Sequence, residues 1–324
     1  MIVKRYSPAY QQVWDSFIDE SRNGTFLLKR PYMDYHADRF PDHSLLICSD
    51  SGKVLAVLPA HEEENATVLA SHNGLTYGGF IIDPKSSTAD VGQFFKLTID
   101  YLLSNHFMRW TYKPIPHIYH TTPCEEDLFW IYRLGGRLIY RNLSSAIPLH
   151  NPLPFSTLRN RKIKSARNYP LDIRIYDWSR ISDYWDVLSQ VLESRHHTTP
   201  THSLAEIELL HSRFPQHIQL ATCYNGDTLL AGIVVYVWRG IAHLQYIAAG
   251  AVGLEQKALD ALIAQLILHY KNLGLDYFDF GISTEDGGAY LNRGLVFQKE
   301  GFGGRGICYD EYEIELSPKQ LTLF

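Results

Sequence analysis

Hydrophobic and polar positions along the chain form two successive series with the same order of predicted elements. In the first series, the apolar periodicity predicts a strand, two helices, a meander of strands, a long helix, a strand, a short helix and a long strand. The predicted bounds are Ile2–Tyr6, Ala9–Glu20, Lys29–Arg39, Ser44–Ser49, Lys53–Ala60, Thr67–Ala70, Phe80–Ile82, Ala89–Asn105, Met108–Lys113, Glu125–Leu134 and Arg137–Leu149.

The second series begins with a basic helix and repeats this order up to a long helix and a strand. A polar helix-and-loop follows, and two strands end the chain. One helix is predicted to begin near Ser203, where Ser203 and Glu206 have the spacing of a capping box. The other bounds are Ser156–Asn168, Asp172–Tyr176, Ser182–His196, Ile218–Tyr224, Leu229–Val237, Ile241–Ala248, Glu255–Leu273, Tyr277–Phe280, Ser283–Gly294, Val296–Lys299 and Cys308–Leu316.

The distance between matching features indicates a duplication. The hairpin turns at Gly52 and Gly226 are 174 positions apart, and the strands that begin at Met108 and Tyr277 are 169 apart. A repeat of this length is typical of a duplicated domain and not of a solenoid.

We therefore predict two α/β domains, at 1–150 and 151–324, with a hinge in the Asn-Pro-Leu-Pro segment 151–154. Each is expected to have a mixed, mostly antiparallel central sheet flanked by helices. Whether the last strands pack on the first domain is left open. The alternative to two domains is one large α/β domain.

Composition agrees with a globular protein of two domains. The chain has 324 residues, of which 45% are hydrophobic and 20% charged. Its net charge of -5 disfavours a globally basic nucleic-acid binder, so no DNA partner is expected. The cysteines lack the spacing of a zinc site, so we expect no metal and a reduced, cytoplasmic location. They are Cys48, Cys124, Cys223 and Cys308.

Membrane insertion and secretion are not expected. The first residues, Met1–Gln12, contain no apolar core of a signal peptide. The apolar stretch Leu229–Leu254 is interrupted by Arg239, His243 and Gln245. We interpret it as two buried strands and not as a transmembrane helix.

The predicted order resembles the GNAT acyltransferase fold, and two copies in tandem resemble the FemAB group, which adds amino acids to peptidoglycan precursors. Leu158–Ala166 is similar to the basic helix that opens the second FemAB domain. Tyr277–Gly281 resembles the family's strand after the long helix, and Gly294–Gly304, GLVFQKEGFGG, is close to its C-terminal signature. The architecture matches over the whole chain, and the residues match best from Tyr277 to Tyr312.

The resemblance implies an acyltransferase that passes an acyl or aminoacyl group to an amine of a polar, cell-envelope-related precursor. The donor would be acetyl-CoA, another acyl-CoA or an aminoacyl-tRNA, with no tightly bound cofactor. The alternatives are an acetyl-CoA-dependent N-acetyltransferase acting on a sugar or small amine, and a non-catalytic binding protein that keeps the fold. The last is favoured if side chains plug the loops 248–254 and 283–288.

Departures from the family leave the donor and the acceptor open. Where the FemAB pattern has Gln, Trp and Lys, this chain has Leu28, Met33 and His36, so His36 replaces the lysine that holds phosphates. In GNAT proteins that use CoA, the loop after the fourth strand holds the pyrophosphate. The matching Ala248–Leu254 keeps Gly250 and Gly253, our predicted donor-binding residues, without the usual Gln or Arg. A simple strand-to-helix turn is the alternative.

The chemistry is expected at the ends of the strands in the second domain. Asp279, at the end of a strand, and Glu285 are the predicted catalytic carboxylates. Ser283 and Thr284 are predicted to bind substrate, although Ser283 and Asp286 also have capping-box spacing. The histidines show no evident triad partner in the sequence.

Other substrate-binding residues are predicted from both domains. The alternatives are an exposed strand lysine for Lys299 and a solvated turn for the Gly-rich loop 71–79. The predicted set is completed by His72, Asn73, Tyr77, Tyr246, Asn292, Lys299 and Arg305.

Two further motifs are weighed against simpler explanations. The histidine-rich segment 196–202 invites a metal interpretation, but no carboxylate or cysteine has ligand spacing to it. On the basic helix, Arg159, Lys162 and Lys164 are candidates for binding tRNA or a phosphate, with a solvated basic face as the alternative.

Overall fold

The computed structural model describes the backbone of residues 1–324 and every side chain except those of Arg195 and His196. The strands are β1 (Ile2–Arg5), β2 (Leu45–Cys48), β3 (Val54–Leu58), β4 (Ala60–Glu63), β5 (Val68–Ser71), β6 (Ile81–Ile82), β7 (Arg109–Tyr112), β8 (Arg137–Pro148), β9 (Leu171–Ile175), β10 (Ile218–Asn225), β11 (Thr228–Trp238), β12 (Ile241–Ala249), β13 (Tyr277–Ile282), β14 (Thr284–Glu285), β15 (Tyr290–Leu291) and β16 (Arg305–Glu315). The helices are α1 (Gln11–Glu20), α2 (Arg30–Met33), α3 (Thr88–Ser104), α4 (Glu126–Arg133), α5 (Thr157–Ala166), α6 (Ile181–His196), α7 (Leu204–Arg213), α8 (Ala251–Glu255), α9 (Ala258–Asn272) and α10 (Arg293–Gly301).

Two compact units divide the chain, and each is assembled from separate segments. Unit 1 comprises Met1–Asn142, Asp286–Ala289 and Cys308–Phe324, and unit 2 comprises Leu143–Glu285 and Tyr290–Ile307. The division falls inside β8 and inside β16. The domain boundary predicted at residue 150 stays a prediction.

Unit 1 contains one antiparallel sheet in the order β1-β2-β3-β6 and a second run in the order β4-β5-β7-β16. Strands β5 and β7 are parallel, as a helical crossover through α3 requires. Helix α3 begins at a capping box made by Ser87 and Asp90. Its buried Phe94 and Phe95 pack with Phe80 of the preceding segment in the core of this unit.

Unit 2 contains strands in the order β8-β13-β12-β11-β10-β9, and within this run only β12 and β13 pair in parallel. Two helices cover opposite faces of the central strands. On β11, Ala231 and Ile233 share a core cluster with residues of α9. Gly232 between them faces the other way, where the ring of Tyr184 of α6 occupies the space of a side chain.

The predicted meanders, the parallel strands and the long helices are present in the structure. The turn at Gly52 joins the antiparallel strands β2 and β3, and the turn at Gly226 joins β10 and β11. The capping box of Ser203 and Glu206 opens α7, as predicted. Within the described residues, no helix has both the length and the apolar composition to span a membrane. The apolar stretch Leu229–Leu254 is β11, β12 and the start of α8.

Two predictions near the end of the chain are wrong. Segment Ser283–Gly294 is not a polar helix but a small hairpin, in which β14 pairs with β15. Segment Val296–Lys299 is not a strand but the interior of α10, because Asn292 caps this helix by accepting the Leu295 N–H at 3.1 Å. The cap starts a helix where the apolar residues alone favour a strand.

Two predicted helices differ in extent. The helix predicted at Lys29–Arg39 is reduced to α2 and one 3-10 turn, Asp34–His36. The helix predicted at Glu255–Leu273 is α9, which begins only at Ala258, because Lys257 adopts a left-handed conformation with φ of 61° and separates it from α8. A residue in that conformation interrupts the helical hydrogen-bond ladder.

Candidate active site

The parallel strands β12 and β13 separate after their first three paired residues. Ile241–His243 pair with Tyr277–Asp279, and no later residue of β12 pairs with β13. Strand β12 nevertheless continues to Ala249, and β13 continues to Ile282 beside β8. The sheet of unit 2 therefore opens between the carboxyl ends of β12 and β13. In α/β sheets, the carboxyl ends of parallel strands are the usual place for a ligand.

A cavity of about 240 Å³ lies where the two strands separate. Val191 of α6 and Ile263 of α9, two helices on opposite faces of the sheet, both line it. The cavity therefore reaches through the sheet between β12 and β13. Its lining residues are Arg159, Lys162, Val191, Ile247, Ala248, Ala249, Leu254, Leu259, Asp260, Ile263, Phe280, Leu295, Gln298 and Lys299.

The polar part of this lining has an excess of positive charge. Arg159 is only 4% exposed, forms an ion pair with Asp260 and stands over the ring of Phe302 at 5.0 Å. This pair neutralises itself, so Lys162 and Lys299 are the cations that remain in the lining. Such a wall favours an anionic ligand group over a cationic one.

Lys299 is a buried cation at the point where the strands separate. It is 6% exposed, and its Nζ donates hydrogen bonds of 2.7 Å to the carbonyl oxygens of Gly281 and Ile282. Burial lowers the pKa of Lys299 to about 8, although the nearby Asp279 carboxylate raises it. The predicted substrate lysine is therefore on a helix and in the wall of the cavity.

Asp279 lies at the same point, on the face of β13 opposite to the buried Phe278 and Phe280. It is completely buried and accepts hydrogen bonds from Ser144 Oγ at 2.5 Å and from the Gly281 N–H at 3.1 Å. Its Oδ2 lies 2.8 Å from Nδ1 of His243, whose side chain is 15% exposed. The carboxylate of Asp279 on β13 thus contacts side chains of both neighbouring strands, β8 and β12.

Comparison with known protein families finds a match in the second half of the chain. The family model described as the acetyltransferase (GNAT) domain matches residues 155–290. These residues, most of which belong to unit 2, are similar to a GNAT domain. The search of curated protein sequences finds no match.

Solved structures extend the likeness in fold over the whole chain. FemX matches 100% of both chains with a TM-score of 0.69 and 11% identity. The L-PGS of Bacillus licheniformis gives 0.63 and 11%, over 99% of this chain and 96% of its own. The C-terminal domain of a putative lysylphosphatidylglycerol synthetase from Agrobacterium fabrum gives 0.60 and 14%, over 98% and 94%. The predicted resemblance to GNAT and FemAB proteins and the predicted fold class are confirmed.

The two predicted donor-binding glycines of unit 2 have different surroundings. A side chain at Gly253 would overlap the carbonyl oxygen of Leu230, so this glycine lets α8 lie directly on β11. Gly250 caps α8, and a side chain there would meet open space. The loop beside the cavity is therefore open at Gly250.

The hairpin after β13 holds four other predicted residues. Glu285 is exposed and accepts a hydrogen bond of 3.2 Å from Asn292, the cap of α10. Thr284 Oγ1 accepts the Leu143 N–H at 3.1 Å. Ser283 is 1% exposed, and its Oγ has no hydrogen-bond partner among the described residues. The alternative of a capping box at Ser283 is not realised, because no helix starts there.

Two predicted residues of unit 2 make contacts within the protein. The Tyr246 hydroxyl lies 2.5 Å from Nδ1 of His202 and accepts the His202 N–H, and its ring packs on Trp185. Burial raises the pKa of Tyr246, so this hydroxyl keeps its proton. Arg305 is exposed and donates to the carbonyl oxygen of its neighbour Gly304 at 2.6 Å.

The predicted residues of the first half all lie in unit 1. His36 and His72 are buried, with their ring nitrogens 3.5 Å apart, and burial lowers the pKa of His72. Tyr77 is buried and donates to Thr25 Oγ1 at 3.2 Å. Asn73 is exposed and accepts a hydrogen bond of 2.6 Å from Lys113. The structure thus places all four of these residues in unit 1.

The remaining motifs are the histidine-rich segment and the basic helix. Among the described residues, no group of three or more His, Cys, Asp or Glu side chains could hold a metal ion. The His196 side chain, which belongs to the histidine-rich segment, lies outside the described residues. On the basic helix, Lys164 is exposed, whereas Arg159 and Lys162 line the cavity of unit 2.

Sequence reasoning missed His243. It found no partner for any histidine, yet His243 and Asp279 are each the third residue of adjacent parallel strands. Aligning the starts of the two predicted strands would have placed these residues side by side. The partner Ser144 depends on the pairing of β8 with β13, for which the sequence carries no signal.

Proposed function

We propose that this protein is an acyltransferase that passes an acyl or aminoacyl group to an amine of a polar, cell-envelope-related precursor. The observation that carries the proposal is the cavity between the separated strands β12 and β13 of the GNAT domain. It is open, it reaches through the sheet, and Lys299 donates to backbone carbonyls in its wall. A cavity of this kind can hold the acyl end of a donor against an incoming amine.

The charge of the cavity supports a donor that carries phosphate. Lys162 and Lys299 remain as cations after Arg159 and Asp260 have paired. A volume of about 240 Å³ suits the reactive end of a donor and not a whole nucleotide-linked molecule. Acyl-CoA and aminoacyl-tRNA both present a small acyl group on a larger anionic body.

The two donors are supported by different comparisons. One structural neighbour is named a putative lysylphosphatidylglycerol synthetase, which supports an aminoacyl donor and a cell-envelope acceptor. The match to the family described as an acetyltransferase domain supports the second candidate function, acetyl-CoA-dependent N-acetylation of a sugar or small amine.

In the proposed reaction, the acceptor nitrogen attacks the carbonyl carbon of the donor. A carbon–nitrogen bond forms, and the thioester or ester bond of the donor breaks. Positive charge close to the carbonyl oxygen stabilises the oxyanion of such a reaction. The Lys299 ammonium is the candidate for that role, because it is buried in the wall of the cavity.

Thermal unfolding of the full chain with acetyl-CoA, CoA or alanyl-tRNA tests the proposal. A ligand at 100 times its Kd stabilises the folded protein by about 2.7 kcal/mol. For a protein of this size, that corresponds to a rise in Tm of about 2–4 °C.

The variant Gly250→Leu makes the test specific, because a side chain there meets open space and the fold tolerates it. Its matched control is Ala205→Leu, at an exposed position of α7. A shift with alanyl-tRNA alone supports aminoacyl transfer, and a shift with acetyl-CoA supports the second function. Either shift should be lost in Gly250→Leu and kept in the control. No shift with any of the three ligands contradicts the proposal.

A further inference from the structure

One histidine stands at the point where β12 and β13 separate, held by a buried carboxylate. His243 is the last residue of β12 that pairs with β13, and its partner in the register is Asp279. The distance of 2.8 Å between Nδ1 of His243 and Oδ2 of Asp279 is that of a charge-assisted hydrogen bond. Ser144 Oγ donates to the other carboxylate oxygen at 2.5 Å.

These contacts determine the tautomer of the imidazole. An ionised carboxylate only accepts hydrogen bonds, so the hydrogen of a neutral His243 ring stands on Nδ1. The basic lone pair then belongs to Nε2, at the other side of the ring. Because Asp279 is held from two further sides by Ser144 Oγ and the Gly281 N–H, the ring of His243 is fixed in orientation.

We propose that His243 accepts the proton of the attacking amine, and that Asp279 is its positioning residue. This inference rests on the proposed function, whose reaction releases one proton from the acceptor nitrogen. The carbon–nitrogen bond forms, the bond to the leaving sulfur or oxygen breaks, and the proton moves from nitrogen to Nε2 of His243. The imidazolium then returns that proton to the leaving group or to solvent.

Burial distinguishes the roles of the two residues. Asp279 is 0% exposed and surrounded by its donors, so it cannot meet an acceptor amine directly. The His243 side chain is 15% exposed and carries the basic atom on the side away from Asp279. A carboxylate in this position orients the imidazole and stabilises its charged form.

The position of Gly281 connects His243 to the cavity. A Cβ on Gly281 would lie 3.4 Å from Cε1 and 3.8 Å from Nε2 of His243. The carbonyl oxygen of the same Gly281 accepts the hydrogen bond from Lys299, which lines the cavity. The His243 ring therefore lies close to Gly281, the residue to which Lys299 donates, where the two strands separate. The φ of 74° at Gly281 disfavours any side chain that would separate His243 and Lys299.

Turnover of the full chain tests this inference, with acetyl-CoA and alanyl-tRNA as donors and glucosamine and glycinamide as amine acceptors. We expect His243→Gln to lower kcat by about 10²–10⁴-fold, the range that a general base contributes. The donor-induced rise in Tm should stay unchanged, because His243 is not assigned to donor binding. Added imidazole should restore activity in His243→Ala, which a merely structural role of the histidine would not allow.

Two further variants test the positioning role. Asp279→Asn reverses the donor and acceptor roles at Nδ1 and moves the ring hydrogen to Nε2, so kcat should fall about as far as in His243→Gln while donor stabilisation is kept. Ser144→Ala removes one hydrogen bond of Asp279 and should have a small effect, with Ser145→Ala of the same strand as the matched control. Wild-type turnover in His243→Gln overturns the inference, and so does a loss that imidazole does not restore. If the wild-type chain transfers to neither amine, the proposed function fails and the inference fails with it.

Discussion

The two units of this protein place a parallel pair of strands at the same point in their element order, and the two pairs end differently. In unit 2, β12 and β13 separate over a cavity. In unit 1, β5 and β7 also pair for only three residues, Val68–Ala70 with Arg109–Thr111. The segment of the chain that follows β5 fills the space beyond these paired residues. The Gly78 N–H donates to the carbonyl oxygen of Lys113, and a Cβ on Gly78 would lie 3.5 Å from Cβ of Ser71.

The route of the chain after the first strand explains this difference. After β5 it turns back, and Phe80 enters a cluster of aromatic rings that includes Phe95, Trp110 and Tyr112. The Tyr112 hydroxyl accepts the Phe80 N–H at 2.7 Å and donates to the buried Asp127 at 2.8 Å. After β12 the chain enters α8 and α9 instead, which leaves the opening unfilled. The same order of elements therefore leaves a cavity only where the connecting segment stays out of the opening.

The largest expected effect comes from emptying the filled opening. Phe80 is packed between aromatic rings on several sides, so Phe80→Ala should lower the free energy of unfolding by about 3–5 kcal/mol. The matched variant Phe280→Ala should cost less, because Phe280 already faces a cavity on one side. Urea unfolding measures both. Equal losses would mean that the two openings are packed alike.

The next effect is a pH dependence that belongs to unit 2. Burial lowers the pKa of Lys299 to about 8 from 10.5. Between these values the unfolded chain keeps a proton that the folded chain has lost, so the free energy of unfolding rises with pH. The rise is on the order of 3 kcal/mol and is absent below the folded pKa, where both states are protonated. Urea unfolding of the wild type and of Lys299→Met across this window measures it, and parallel pH profiles would contradict it.

Unit 1 should show the opposite sign at lower pH. Burial raises the pKa of Asp127 to about 6 from 3.8, against the hydrogen bond from Tyr112. Between these values the folded chain keeps a proton that the unfolded chain has lost, so the free energy of unfolding falls as the pH rises. The shift is slightly smaller than that of Lys299, and the fall is on the order of 3 kcal/mol. Asp127→Asn, which does not titrate, should lack this fall, and the same slope in both proteins would assign it to another group.

The smallest effect distinguishes two lysines of one helix. Lys162 lines the cavity and Lys164 is exposed, so Lys162→Ala should weaken the donor identified by thermal unfolding about fivefold, or about 1 kcal/mol. Lys164→Ala carries the same charge change and should leave the affinity unchanged. Titration calorimetry with each variant measures this difference. An equal loss in both would indicate long-range attraction by the basic helix instead of a contact in the cavity.

Much of the architecture could be predicted because local patterns and tertiary contacts favour the same structure there. The meander β10–β12 follows the alternation of its apolar residues, and Ser203 with Glu206 makes the predicted cap of α7. The prediction was wrong for α10, where a cap made by Asn292 outweighs the strand propensity of Val296 and Phe297. Lys299 was selected for its position in a motif, and only its helix directs it toward the carbonyl oxygen of Gly281.

The sequence by itself determined most of the order of the elements and the resemblance of the second half to GNAT domains, because these depend on periodicity and on short local motifs. Only the tertiary structure decided which opening stays empty and which side chains meet there. His243, Asp279 and Ser144 come from three strands and lie within hydrogen-bond distance only because β12, β13 and β8 are neighbours in one sheet. Strand pairing of this kind is a property of long-range packing.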